Sequence, residues 1–93
     1  MRLADTFAAL GNPTRLAIVE RLLRQGELAA GELVAEGEMS APAMSHHFKV
    51  LREAGITFTR ANGTHRLVTL RTDDLEQRFP GLISSVLNAT KAA

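Results

Sequence analysis

The chain has 93 residues, of which 45% are apolar and 23% charged, with a formal net charge of +1 at pH 7. A polypeptide of this size buries about 65% of its unfolded surface and builds one small core. It contains no cysteine, which excludes disulfides, thiolate metal sites, iron–sulfur clusters and thiol nucleophiles. Four Phe with no Trp or Tyr leave few stacking platforms for single-stranded nucleic acid, and the apolar runs are too short for a bilayer span or a signal-peptide core. These features imply one soluble, cytoplasmic domain over residues 1–93, without membrane partner or cofactor.

The first apolar positions, Leu3, Phe7 and Leu10, are spaced for a short amphipathic helix that Gly11 ends. Asn12 then offers a cap and Pro13 a first-turn residue for a second helix, to about Gln25, with Leu16, Val19, Leu22 and Leu23 inward. Residues 27–29 read as extended, and 31–36 as a third helix of two turns. A fourth helix, 41–54, is signed at both ends by Ser40 with Pro42 and by Gly55. It has a narrow apolar stripe of Met44, Phe48 and Leu51, and an opposite side of Pro42, Ser45, His46 and Lys49.

Residues 56–70 alternate as a hairpin around Asn62 and Gly63. A three-residue loop over 61–63 is predicted, because it gathers Ile56, Phe58, Val68 and Leu70 on one face. Thr72 is expected to cap a short helical turn holding Asp73, Asp74 and Leu75. Pro80 is expected to begin a last helix, with Phe79, Leu82, Ile83, Val86 and Leu87 on its apolar side.

The charge is unevenly placed. Residues 40–71 carry Lys49, Arg52, Arg60, Arg66 and Arg71 against Glu53 alone, while acids outnumber bases elsewhere. His46, His47 and His65 lie in the same basic third. One basic segment in a nearly neutral chain suggests one surface for a polyanion. Helix, helix, short strand, helix, capped helix, hairpin is the order of a winged helix-turn-helix: mainly α with a β-hairpin wing. A helix with small outward residues suits the major groove of B-DNA.

The runs LGNPTRLAIVERL, EMSAPAMSHHFKVLREAGI and RANGTHRLVTLR are those of a known group. With the spacing Ser40-x-Pro42-x-x-Ser45-x-His47-x-x-x-Leu51, the chain resembles the arsenic-repressor (ArsR) family of bacterial transcriptional regulators over about residues 3–75. The resemblance implies a homodimeric repressor that binds double-stranded DNA at an inverted repeat, with helix 41–54 in the major groove and hairpin 56–70 as wing. It implies that Ser40 caps and touches phosphate, that Ala41, Pro42, Ser45 and His46 face base edges, and that His47 and Lys49 meet the backbone. Arg60, Asn62, Gly63, Thr64 and Arg66 would form the wing contacts, and Leu3, Phe7, Leu10, Phe79, Leu82, Ile83, Val86 and Leu87 the dimer interface.

Ala41 and His46 stand where family members often carry Gln and Arg, which leaves fewer bidentate base readers. Ala29 and Gly31 occupy the positions of sensing cysteines and no histidine follows His65, so direct metal sensing is not expected. Plainer roles stand beside these: His46 as a solvated side chain, His47 as a histidine at the core edge, Lys49 and Arg52 as solvated helix charges. Ser45 and His46 are adjacent on a helix and point apart, so they form no nucleophile–base pair, and an enzyme is not expected. A winged-helix module that docks proteins is the alternative function.

Overall fold

Short polar caps, Pro and Gly divide the chain into six helices and three strands over residues 2–37 and 39–92, which this computed structural model describes. They are α1 (Leu3–Leu10), α2 (Pro13–Gln25), β1 (Leu28–Ala29), α3 (Ala30–Glu36), α4 (Ala41–Glu53), β2 (Thr57–Asn62), β3 (His65–Leu70), α5 (Thr72–Arg78) and α6 (Leu82–Ala92). Glu38, within the family-like run, lies outside the described residues.

The helix starts follow the cap chemistry. Asn12 Oδ1 accepts the amides of Thr14 and Arg15 at 2.9 and 3.1 Å, and Pro13 follows where no amide partner is needed. Ser40 Oγ accepts the Ala43 amide at 3.4 Å to open α4. At its other end Gly55, with φ +79°, lets its own amide reach the Arg52 carbonyl and the Ile56 amide reach that of Leu51, both at 3.0 Å. That pair closes α4 as a Schellman motif.

Met44, Phe48 and Leu51 of α4 are buried with Ile18, Val19 and Leu22 of α2, Leu33 of α3, and Val68 and Leu70 of β3. The sheet has order β1-β3-β2 and is antiparallel throughout, with Leu28 opposite Val68 and Thr57 opposite Leu70.

The hairpin differs from the predicted one. Asn62 pairs with His65, so the loop is the two residues Gly63 and Thr64 rather than 61–63. Gly63 has φ +63° and no non-glycine described residue has positive φ, the pattern of a type II′ turn with Gly first. This register puts Thr57 and Thr59 inward with Val68 and Leu70 and turns Phe58 outward, 44% exposed. Ile56 is nonetheless fully buried, because it belongs to the α4–β2 junction and not to the strand ladder.

Two helix starts also differ. Arg71 occupies the cap position of α5 and Thr72 is its first helical residue: the Arg71 amide is held by the Ile56 carbonyl at 2.9 Å, and its own carbonyl opens the helix. α6 begins at Leu82, not Pro80, because Gly81 has φ +88° and stands outside the helix. In α1 the buried residues are Thr6 and Ala9, which leaves Leu3 and Phe7 exposed.

The register sets an expectation for stability. Leu51→Ala should cost about 2–5 kcal/mol by leaving a core cavity. Phe58→Ala, which would cost as much in the three-residue register, should cost less than about 1 kcal/mol. Chemical denaturation of both variants measures the difference.

Candidate nucleic-acid interface

The stripe that buries one side of α4 leaves the other uncovered. Ser40, Ala41, Pro42, Ser45, His46 and Lys49 are all exposed. Two of these six, Ala41 and Pro42, are small or cyclic apolar residues and none carries an acid, so backbone and short side chains define much of this face. Lys49 Nζ lies 3.7 Å from Glu53 Oε1, an exposed i,i+4 pair of the kind worth about 0.3–0.5 kcal/mol, too little to withhold the ammonium from a phosphate.

Beside this face runs a groove of about 690 Å³, bounded by α3, α4 and the inner side of the sheet, whose lining includes Ala41, Ser45, Lys49, Arg52, Thr59 and Arg66. Arg66 pairs with Ala61 and alternation places it on the face of Thr59 and Val68. Three cations therefore edge one groove. The sequence puts Arg52 in the basic segment without assigning it a contact; its place beside Arg66 depends on a sheet register that no local pattern specifies.

Arg60 points to the other face of the sheet. Its Nε and Nη2 donate to Glu27 Oε2 and Oε1 at 3.0 and 2.6 Å, and Thr69 Oγ1 donates to Glu27 Oε2. The Arg60 and Thr69 hydrogen bonds hold the Glu27 carboxyl below its ordinary pKa, and Glu27 in turn raises that of Arg60. Glu27, just before β1, thus binds side chains of β2 and β3 on the side away from α4. Asn62, Gly63, Thr64 and His65 form an exposed tip.

His47 is half-buried at the core edge, and Arg15 Nη1 donates to its Nδ1 at 3.2 Å. An arginine only donates, so Nδ1 is the acceptor and the ring proton is on Nε2. Burial lowers the His47 pKa below the ordinary 6.5, and the charges of Arg15 and then His46, whose ring centroid is 5.6 Å away, lower it further. Two of the expected DNA contacts, His47 and Arg60, are therefore engaged within the protein.

The expected dimer seam is divided as well. Leu3 and Phe7 are 50% and 55% exposed. Leu10, Phe79, Ile83 and Val86 pack partly against the chain's own core, and Leu82 and Leu87 are half-buried. Among the described residues no group of three or more His, Asp or Glu side chains is placed to hold a metal ion, and no helix is long and apolar enough to cross a membrane.

The lowered His47 pKa has a definite sign in stability. Above pH 6.5 the ring is neutral in folded and unfolded chains alike; below it the unfolded chain takes up the proton first, so stability is lost as the pH falls. From about pH 7.5 to about pH 5.5 the thermal midpoint of the wild type should fall more steeply than that of His47→Gln. Parallel pH profiles for the two proteins would contradict this.

Comparison with known proteins agrees with this geometry. The pattern of the bacterial regulatory protein, arsR family, matches residues 12–56, from the α2 cap to the end of the α4 Schellman turn. The HTH-type transcriptional regulator YceK of Bacillus subtilis (strain 168) is 38% identical over 84 residues, covering 89% of this chain and 84% of its own. The arsenical resistance operon repressor of Staphylococcus xylosus is 35% identical over 74 residues, covering 80% and 70%. The homodimeric winged helix-turn-helix DNA-binding domain Mb0332 from Mycobacterium bovis superimposes with a TM-score of 0.74 at 27% identity, over 92% of this chain and 78% of that one. With α3 and α4 as the helix-turn-helix and β2–β3 as the wing, the chain is a winged helix-turn-helix DNA-binding regulator and belongs to the arsR family of bacterial regulatory proteins.

Proposed function

We propose that residues 1–93 act as one domain of a homodimeric repressor that binds an inverted-repeat operator, with α4 in the major groove and the β2–β3 hairpin along the neighbouring backbone. The observation that carries this reading is the uncovered outer face of α4 set beside a groove edged by Lys49, Arg52 and Arg66. The major groove, roughly 12 Å wide, admits a helix whose outward residues are small. Ser40, Ala41, Pro42, Ser45 and His46 would meet base edges and the nearest phosphates. Lys49, Arg52 and Arg66 would meet the backbone, with Asn62, Gly63 and Thr64 at the wing tip. The names of the Staphylococcus xylosus repressor and the homodimeric Mycobacterium bovis domain support repression and dimerisation.

Fluorescence anisotropy with duplex DNA from upstream of the coding region, beside a scrambled duplex, tests the DNA reading. Log K should fall with log salt at a slope near −0.9 per phosphate neutralised, with about 6–10 phosphates for a dimer. Lys49→Ala should weaken both duplexes alike, and His46→Ala should change the preference between them. Salt-insensitive or absent binding by a folded dimer would instead favour a protein-docking module.

Dimerisation has its own test. A carboxylate in an apolar seam is costly, so Phe7→Glu should halve the mass in sedimentation equilibrium while leaving the fold intact, since Phe7 is 55% exposed in the single chain. A Phe7→Glu protein that remains dimeric would place the seam elsewhere.

A further inference from the structure

Arg15 stands in the first turn of α2 and is half-buried, yet its guanidinium serves two other helices. Nε donates to the Ala9 carbonyl at 2.6 Å and Nη2 to the Ala8 carbonyl at 3.4 Å, both in the last turn of α1. Nη1 donates to His47 Nδ1 on α4. The Ala9 carbonyl is among those that a helix leaves open at its C-terminus, the Ala8 carbonyl is shared with the Gly11 amide at 3.3 Å, and a cation there also meets the negative end of the helix dipole. Because the guanidinium is planar with its donors in a fixed fork, one arrangement of the three groups satisfies it. One side chain thus hydrogen-bonds the end of α1 and a ring on α4.

The two coupled helices face different tasks. α1 bears the exposed Leu3 and Phe7. α4 bears the exposed His46, whose neighbour His47 is the residue that Arg15 grips. We propose that Arg15 is a positioning residue for operator recognition: by locking α4 to α1 it fixes the orientation of the recognition helix relative to the dimer seam, and so the separation of the two recognition helices in the homodimer. The inference rests on the homodimeric, operator-binding reading above. Two recognition helices must enter major-groove segments about 34–36 Å apart, and a two-fold axis doubles any angular error made at one seam. Arg15 touches no base in this scheme; it acts through His47 and the end of α1.

A residue needed only for folding and one needed for spacing differ in what they spare. Loss of the first lowers stability and weakens all duplexes together; loss of the second blurs the choice between spacings and leaves sequence-independent phosphate contacts intact. The probes are a duplex selected from a random pool by the full wild-type chain, the same duplex with one base pair inserted or removed between half-sites, and a random duplex. The wild type should lose about tenfold in affinity or more on either spacing change, as expected when one half-site is misaligned.

Arg15→Gln should bind the selected duplex about tenfold more weakly, show a spacing penalty of no more than about threefold, and keep its affinity for random duplex. It should remain dimeric by sedimentation. His47→Gln, whose amide oxygen accepts from Arg15, should keep the wild-type spacing preference; His47→Leu, which has no acceptor, should lose it. The Arg15→Gln/His47→Leu double variant should be no less selective than the worse single one, because residues acting as a unit are not additive.

A folded, dimeric Arg15→Gln that retains the full spacing penalty overturns the proposal and leaves the DNA reading standing. If Arg15→Gln does not fold, His47→Leu decides alone, and its retention of the full penalty overturns the proposal. Failure of the wild type to select any duplex, or selection of a site without two half-sites, overturns the homodimeric operator reading itself and the proposal with it.

Discussion

The recognition surface depends on the burial of α4 through a single narrow stripe. Met44, Phe48 and Leu51 recur at i, i+4 and i+7, and their exposures are 3%, 9% and 0%. Each such side chain contributes about 1.5–3 kcal/mol when taken out of water, so this stripe is what anchors the 13-residue helix to the core. The Ser40 cap and the Gly55 turn satisfy groups at its two ends that would otherwise compete for partners. Apart from Ser40, the exposed residues of the outer side lie outside that core. That freedom lets Ala41, Pro42, Ser45 and His46 be chosen by what they touch outside the protein.

A second constraint, the β2–β3 register, sorts the charge. Pairing Thr57 with Leu70 sends Arg66 toward the groove beside Lys49 and Arg52, and sends Arg60 to the opposite face. There Glu27 engages Arg60 with both carboxylate oxygens. Solvent screens an exposed pair of this kind, so its main consequence is the distribution of charge. The basic segment read from the sequence is not one surface but two, and only the inner one lies beside α4.

Local features were legible in the sequence and non-local ones were not. The caps at Asn12 and Ser40, the stop at Gly55 and the α4 stripe depend on residues within seven positions of one another, and all stand where the sequence pattern places them. The hairpin departs from the expected register because gathering Ile56, Phe58, Val68 and Leu70 on one face, the pattern that argues for a three-residue loop, is not what the core uses. In fact two threonines line the inner face there, and Ile56 fills the core from outside the ladder. The last helix starts late because Pro80 sits in the turn that Gly81 completes. The Arg15–His47 and Arg60–Glu27 contacts span 32 and 33 residues. Each joins side chains far apart in the chain, so no spacing rule could have paired them.

The short third strand also grades the hairpin along its length. β1 pairs only with Val68 and Leu67, while β2 and β3 continue two rungs further, to Ala61↔Arg66 and Asn62↔His65, through residues that are all exposed. The base of the hairpin, with Val68 and Leu70 in the core, can exchange its amide hydrogens only when much of the molecule opens. The outer rungs have no third strand and no buried side chain to hold them, so they belong at the low end of local stability. One hairpin therefore spans the stability range of the whole domain, rigid where it meets the helices and yielding where it reaches away from them.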